Sequence, residues 1–114
     1  MTESQIQMQI VQALQAMGVM FFSVPNEALG KINHRGDRNR MMRLKSMGLL
    51  SGVSDLVVVL KNKIVFLEVK TAKGRQSKSQ KDFEHRVTLL GHEYHVVRSV
   101  DDVISIVDST GRVR

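Results

Sequence analysis

Two acidic residues and a lysine are spaced in this sequence in a way that suits binding of a divalent cation. Asp55 stands near the start of one apolar run, and Glu68 and Lys70 lie two residues apart at the end of a second run. Because successive side chains of a strand point to opposite faces, Glu68 and Lys70 share a face. Neighbouring carboxylates in a sheet repel each other, and a hard cation that takes both as ligands removes the conflict. The alternative is that Lys70 neutralises one acid and that Asp55 lies at a wet strand end.

The two apolar runs predict an antiparallel β-hairpin, because both are rich in β-branched residues and only Lys61-Asn62-Lys63 separates them. The runs cover residues 54–60 and 64–70. If the first two linker residues form the turn, Asp55 lies opposite Glu68. If the last two form the turn, Asp55 lies opposite Lys70 and diagonal to Glu68. Both registers gather two carboxylates and an ammonium group on one patch of the sheet.

Helical and strand periodicities elsewhere predict the elements that position this hairpin. The predicted helices cover residues 3–17, 77–90 and 100–107, the last begun by Ser99 or Asp101, and the predicted strands cover 19–24 and 94–98. In the first helix, Glu3 and Gln7 lie one turn apart at the N-terminal end of the apolar stripe. One explanation is that the first turn frays and keeps both side chains in water.

Gln80 has two interpretations. The spacing Ser77-x-x-Gln80 fits a capping box, in which the glutamine side chain reaches back to the amide of the cap residue. Gln80 also shares a helix face with Phe83 and Val87, which points its side chain inward toward the sheet. Gly52, ahead of the first hairpin strand, leaves room for backbone or substrate to approach closely.

The charge of the chain favours a polyanionic partner. Seventeen Lys and Arg against eleven Asp and Glu give a formal net charge of +6, which favours nucleic acid first and an anionic membrane surface second. Six basic residues are concentrated in one stretch: Lys31, Arg35, Arg38, Arg40, Arg43 and Lys45. This density suits phosphate oxygens, the alternative being a solvated basic loop, and residues 37–47 predict a short helix with a basic face. Three more basic residues extend this track around Gln80: Lys73, Arg75 and Lys78.

Composition also bounds the class of protein. With 114 residues, 42% of them hydrophobic, the chain is expected to form one domain over residues 1–114. It contains no cysteine, which excludes a disulfide scaffold and a thiolate metal site and suits a reducing cytoplasm. No apolar run approaches the roughly 20 residues that span a bilayer. We therefore expect a cytoplasmic protein that does not enter a membrane.

The ordered motifs of the chain resemble the VRR-NUC family of the PD-(D/E)XK nuclease superfamily. Asp55 followed by Glu68-Val69-Lys70 matches the superfamily signature of an acid and a later E-x-K tripeptide. The resemblance extends from Glu3 to about Ile106. Its further matches are Val24-Pro25-Asn26, Gly52-Val53-Ser54-Asp55-Leu56, Phe66-Leu67, Gly74, Ser77, Gln80, Leu90-Gly91 and Tyr94-His95-Val96-Val97.

The resemblance implies a fold, a reaction and a set of site residues. The fold is α/β and restriction-endonuclease-like, with an αβββαβ core and a mixed central sheet flanked by helices. The reaction is hydrolysis of phosphodiester bonds in DNA with Mg²⁺ or Mn²⁺. The implied catalytic residues are Asp55, Glu68, Lys70 and Gln80, and the implied metal ligands are Asp55, Glu68, the Val69 carbonyl and Glu3, with Gln7 a weaker match than Glu3. In this scheme Lys70 orients water or stabilises negative charge, and Gln80 holds the water or the scissile phosphate.

Stand-alone members of this size resemble Holliday-junction-resolving enzymes that act as homodimers. The resemblance therefore implies branched DNA as the substrate, with two sites for two strands. The alternatives are a non-catalytic nucleic-acid-binding module on the same fold and a nuclease subunit that needs a partner for targeting. The complete acid, lysine and glutamine set favours an enzyme, because a pure binding module has no use for acids beside a phosphate path.

Overall fold

A mixed four-stranded sheet with helices on both faces forms the framework of the protein. The computed structural model describes residues 1–25 and 35–109, with all side chains in these ranges except those of 35–37 and 109. The elements in chain order are α1 (Glu3–Met17), β1 (Met20–Ser23), α2 (Arg35–Ser46), β2 (Leu56–Val59), β3 (Ile64–Val69), α3 (Lys78–Leu89), β4 (Glu93–Val97) and α4 (Val100–Ser109). None of the helices within the described ranges has the length and apolar character needed to cross a membrane.

The strands lie in the order β1-β2-β3-β4. The pairs β1–β2 and β2–β3 are antiparallel, whereas β3 and β4 are parallel. The helix α3 forms the crossover connection that a parallel pair requires. Apart from α2, which lies between β1 and β2, the order up to β4 is α1-β1-β2-β3-α3-β4. This order confirms the predicted αβββαβ core and mixed sheet. The basic helix predicted over residues 37–47 is present as α2, and it begins slightly earlier.

The hairpin of β2 and β3 adopts the first of the two predicted registers. The Leu60 N–H donates to the Lys63 carbonyl (2.9 Å), so the two residues between them form the turn. Continuing this register places Asp55 opposite Glu68. The prediction that Asp55 lies within the strand is wrong, because the ladder begins one residue later. The Val69 N–H is bonded to the Asp55 carboxylate (2.7 Å), and this side-chain bond takes the place of a backbone bond at the end of the ladder.

Two apolar layers enclose the sheet. The larger layer joins α1 and α4 to one face through Ile6, Ile10, Leu14, Leu56, Val58, Val65, Leu67, Val69, Val97, Val103 and Val107. The smaller layer joins α3 to the other face through Phe83, Val87 and Tyr94. Phe66 belongs to this second layer, and its ring meets that of Phe83 edge to face at 5.4 Å. Glu68 follows two residues after Phe66 on β3, so its side chain lies on the α3 side of the sheet.

The first turn of α1 is capped and not frayed. The Thr2 hydroxyl accepts from the Gln5 N–H (3.2 Å), and the Gln5 side chain accepts from the Thr2 N–H (2.8 Å), which completes a capping box. At the other end, Gly18 has a φ of 71° in the left-handed C-cap conformation, which confirms the predicted stop. The frayed-turn explanation for Glu3 and Gln7 is therefore wrong, although the Glu3 side chain is exposed.

Candidate active site

Glu68 and Lys70 form a buried pair at the end of β3. Glu68 is 1% exposed, and Lys70, which directly follows the strand, is 7% exposed. The Lys70 Nζ lies 3.8 Å from the Glu68 Oε2. The Lys70 N–H donates to the Val97 carbonyl (3.0 Å), which ties the end of β3 to the end of β4. The E-x-K segment is thus held by a contact between its side chains and by a backbone hydrogen bond to β4.

Asp55 is held beside this pair by hydrogen bonds from both neighbouring strands. Its carbonyl accepts from the Val24 N–H (2.9 Å), directly after β1, and its Oδ2 accepts from the Val69 N–H (2.7 Å). A bond from an amide to a carboxylate is charge-assisted and is stronger than a neutral one. The half-buried Asp55 carboxylate is thereby anchored next to the residue that separates Glu68 from Lys70.

Gln80 combines the two interpretations drawn from the sequence. Its Oε1 accepts from the Ser77 N–H (2.8 Å) while its own N–H donates to the Ser77 hydroxyl (3.2 Å), so the capping box at the start of α3 is formed. Its Nε2 donates to the Glu68 Oε2 (3.0 Å), so the same side chain also points to the sheet. Because the cap occupies the oxygen, the amide orientation is set and the nitrogen faces the acid.

Gly52 allows the segment before β2 to approach the start of α3. Its φ is +82°, and a Cβ at this position would lie 2.1 Å from the Ser79 carbonyl oxygen and 2.9 Å from the Gln80 backbone nitrogen. These distances are too short for any side chain, so only glycine fits without displacing the helix. The predicted close approach is confirmed, and the approaching group is the backbone of α3.

The environment of Glu68 favours its protonated form when no cation is bound. Burial of this carboxyl and the charge and contact of the Asp55 carboxylate together raise its pKa to about 9, against a smaller lowering by the Lys70 ammonium. Glu3 adds a smaller contribution in the same direction. Within the described ranges, the buried Glu68 Oε1 has no hydrogen-bond donor. A buried acceptor without a donor, next to a second carboxylate, fits a hard divalent cation, which binds oxygen ligands.

Glu3 shares a cavity with one member of this acid pair. A cavity of about 400 Å³ has Glu3, Gln7 and Asp55 in its lining, together with Ser4 and residues 23–25. In the part of the chain that the structure describes, no three His, Cys, Asp or Glu side chains lie close enough together to hold a metal ion. The structure therefore brings Glu3 to the same cavity as Asp55, whereas the four-ligand set with the Val69 carbonyl stays a prediction.

The predicted phosphate-contacting residues are exposed wherever their side chains are described. On α2 these are Arg38, Arg40, Arg43 and Lys45, and around the start of α3 they are Lys73, Arg75 and Lys78. On the same helix, Met41 is buried and only 5% exposed. Arg35 begins α2 but its side chain is outside the described set, and Lys31 lies outside the described residues altogether.

Arg98 is a residue near the site that the sequence interpretation missed. Its Nη1 donates to the carbonyls of Thr71, Gly74 (2.8 Å) and Ala72 (3.4 Å), in the turn that directly follows Lys70. The parallel pairing of β3 with β4 makes this contact, because it sets the end of each strand at the same edge of the sheet. The sequence signal for this contact is that a basic residue, Arg98, directly follows β4, the strand that pairs in parallel with the E-x-K strand β3.

Comparison with known proteins agrees with this architecture. The sequence profile of the VRR-NUC domain matches residues 1–101. A solved structure named as a VRR_NUC domain protein superposes with a TM-score of 0.71 at 16% identity, over 96% of this chain and 87% of that one. A second, named as a VRR_NUC domain, superposes with a TM-score of 0.64 at 22% identity, over 93% and 94%. No curated protein sequence matches the chain.

The two kinds of similarity support different statements. At 16% and 22% identity, the likeness to solved structures establishes the restriction-endonuclease-like α/β fold. The profile match covers most of the chain and confirms the resemblance drawn from the motifs. The chain belongs to the VRR-NUC domain family, a family of PD-(D/E)XK nucleases.

Proposed function

We propose that this chain is a metal-dependent, structure-specific DNA endonuclease that hydrolyses phosphodiester bonds in branched DNA, such as Holliday junctions, and acts as a homodimer. The observation that carries the proposal is the convergence of Asp55, Glu68, Lys70 and Gln80 at one end of the sheet. A pair of carboxylates with a buried, unbonded oxygen is costly to maintain. That cost is offset if the pair binds a cation next to DNA.

Asp55 and Glu68 are the residues that would hold the cation, with Glu3 and the Val69 carbonyl as further ligands. The set is entirely oxygen and suits Mg²⁺ or Mn²⁺. When bound, such an ion neutralises charge on the phosphoryl oxygens and activates a water molecule for attack. The chain prepares for it by anchoring Asp55 through the Val69 N–H and by leaving the Glu68 Oε1 free of donors in the described part.

Lys70 and Gln80 supply hydrogen-bond donors beside the acids. The Lys70 ammonium, 3.8 Å from Glu68, provides positive charge where negative charge develops on the phosphoryl group, or holds the attacking water. The Gln80 amide has two N–H bonds, and its contact with the Glu68 Oε2 uses one of them. The second remains to hold a water molecule or the scissile phosphate.

The exposed basic residues on α2 and around the start of α3 are proposed to contact backbone phosphates, and Lys31 and Arg35 are added to them from the sequence alone. A homodimer would place two acid clusters about a two-fold axis, as paired incision of a junction requires.

Two further parts of the proposal rest on the sequence alone. From the chain length, we propose that residues 1–114 form a single domain, and from the absence of cysteine, we propose a cytoplasmic location.

Cleavage of a labelled four-way junction tests this function. We expect cleavage with Mg²⁺ or Mn²⁺, none with EDTA, and slower cleavage of duplex, flap and single-stranded DNA. Asp55→Asn and Lys70→Ala should abolish cleavage while leaving folding and junction binding largely intact. Asp82→Asn removes a carboxylate from the exposed surface of α3 and is the matched control.

Three outcomes would contradict parts of the proposal. Equal loss of binding and cleavage in the Asp55 and Lys70 variants would contradict their catalytic roles. Junction binding by the wild-type protein without cleavage in either metal would favour the non-catalytic binding module. A monomeric mass by light scattering, both free and on the junction, would contradict the homodimer.

A further inference from the structure

The turn that follows Lys70 forms one wall of a basic cavity that is separate from the acid pair. The cavity has a volume of about 570 Å³ and is lined by Ala72, Lys73, Gly74, Arg75 and Arg98. Three of these five residues are cationic, and all three are exposed. Arg98 comes from the end of β4 and the other residues come from the turn, so the cavity exists only because the two segments meet.

Arg98 holds the turn with one part of its guanidinium group and leaves the rest available. Nη1 makes all three bonds to the carbonyls of the turn. An arginine has five N–H donors, and the three on Nε and Nη2 make no hydrogen bond to any residue in ranges 1–25 and 35–109. These donors are arranged in the planar fork that matches the oxygens of a phosphate group.

Among the described residues, the three cations have no neutralising carboxylate. In the described part of the chain, no carboxylate lies within 4.0 Å of the charged groups of Lys73, Arg75 or Arg98. Asp102 accepts from the backbone N–H of Arg98 (2.8 Å) and so serves to orient its backbone. Like charges that converge without a counter-charge repel one another, and a bound anion relieves that repulsion.

The cavity lies within a short distance of the acid cluster. Only one residue separates Lys70 from Ala72, and this length of chain spans at most about 7 Å. One strand of a DNA duplex rises about 3.4 Å per nucleotide, so the start of the turn lies within about two nucleotide spacings of Lys70. The turn also folds back on the catalytic strand, because a Cβ on Gly74 would lie 3.4 Å from the Lys70 Cβ.

We infer that the cavity of Lys73, Arg75 and Arg98 binds a single non-scissile backbone phosphate of the DNA, one or two nucleotides from the bond that is cut. Arg98 has two parts in this site: it positions the turn through Nη1, and it contacts the phosphate through Nε and Nη2. The inference rests on the proposed nuclease function, since it names how the substrate is held at that same site.

Binding in EDTA tests the inference without requiring cleavage. The double variant Lys73→Ala, Arg75→Ala retains the bonds between Arg98 and the turn, and Arg98→Lys retains the charge but loses the fork. We expect the double variant to bind the junction about tenfold or more weakly, with a salt dependence that is shallower by about one. Lys61→Ala removes an exposed charge from the β2–β3 turn, at the far end of β3 from Glu68, and should bind as the wild type does.

Methylphosphonate substitution identifies the phosphate. A neutral methylphosphonate is placed at successive positions near the cut, one position in each DNA. At one non-scissile position it should weaken wild-type binding about tenfold. At that position it should have little further effect on binding by the double variant or by Arg98→Lys. If the wild-type protein binds and cleaves but the variants respond to every position as it does, only this inference is overturned. If the wild-type protein binds no DNA, the proposed function fails and the inference fails with it.

Discussion

Replacing Glu68 with glutamine tests the electrostatics of the site independently of catalysis. Glu68→Gln preserves the shape of the side chain and an oxygen that can accept from Gln80, and it removes the ionisable group. In the metal-free protein, burial and the Asp55 charge raise the pKa of Glu68 from its ordinary value of 4.5 to about 9. The substitution should therefore change how stability depends on pH.

The sign and size of the effect follow from proton linkage. Between the two pKa values, the folded chain keeps a proton on Glu68 that the unfolded chain has released. The stabilisation from this group is fully present below pH 4.5 and is lost as the pH rises toward about 9. The free energy of unfolding should fall by about 3 kcal/mol from about pH 6 to about pH 8 through Glu68 alone.

Urea unfolding in EDTA at these two pH values measures the effect. The stability difference between the wild type and Glu68→Gln should shift by about 3 kcal/mol in favour of the variant at the higher pH. Asp82→Asn, which removes an exposed carboxylate from α3, should follow the wild-type pH dependence. A difference between wild type and Glu68→Gln that stays constant with pH would refute the conclusion that the buried carboxyl is protonated in the metal-free fold.

Addition of Mn²⁺ extends the same measurement. A cation that binds only the folded protein stabilises it by about 2.7 kcal/mol at a free concentration of about 100 times its Kd. Wild-type protein at about pH 8 should therefore recover about the stability that it loses between about pH 6 and about pH 8, whereas Glu68→Gln should gain much less. Equal stabilisation of both proteins would contradict the assignment of Glu68 as a metal ligand.

Two further substitutions test the packing around Gln80. In urea unfolding, Gly52→Ala should lower the free energy of unfolding by about 1–3 kcal/mol more than Gly48→Ala does. Both glycines have a positive φ, but of the two only Gly52 has backbone atoms within 4 Å of the new Cβ. Equal losses would contradict the close contact with Ser79. Gln80→Glu retains an acceptor for the α3 cap but replaces the donor to Glu68 with a carboxylate, so junction cleavage should fall at least about tenfold. Unchanged cleavage by Gln80→Glu would exclude a role for the amide nitrogen.

The alternatives that the sequence left open are settled by hydrogen bonds in the folded chain. Two possible turns in the Lys61-Asn62-Lys63 linker have similar chemistry, and the contact between Leu60 and Lys63 selects one. The two interpretations of Gln80 turned out to be compatible, because one amide group offers an oxygen to the cap and a nitrogen to Glu68. Local spacing predicted the cap and the inward direction of the side chain separately, and it gave no reason to expect both together.

The sequence by itself determined the order of the elements and the types of chemical group available to the site. Apolar periodicity, the glycine stop after α1 and the spacing of Glu68 and Lys70 are local properties, so they can be read along the chain. Only the tertiary structure decided what those groups experience. The pKa of Glu68 depends on burial by α3 and on the distance to Asp55, and the basic cavity depends on Arg98 meeting a turn that lies far before it in the chain. Burial and through-space charge depend on residues that are remote in sequence, and for that reason no local pattern contains them.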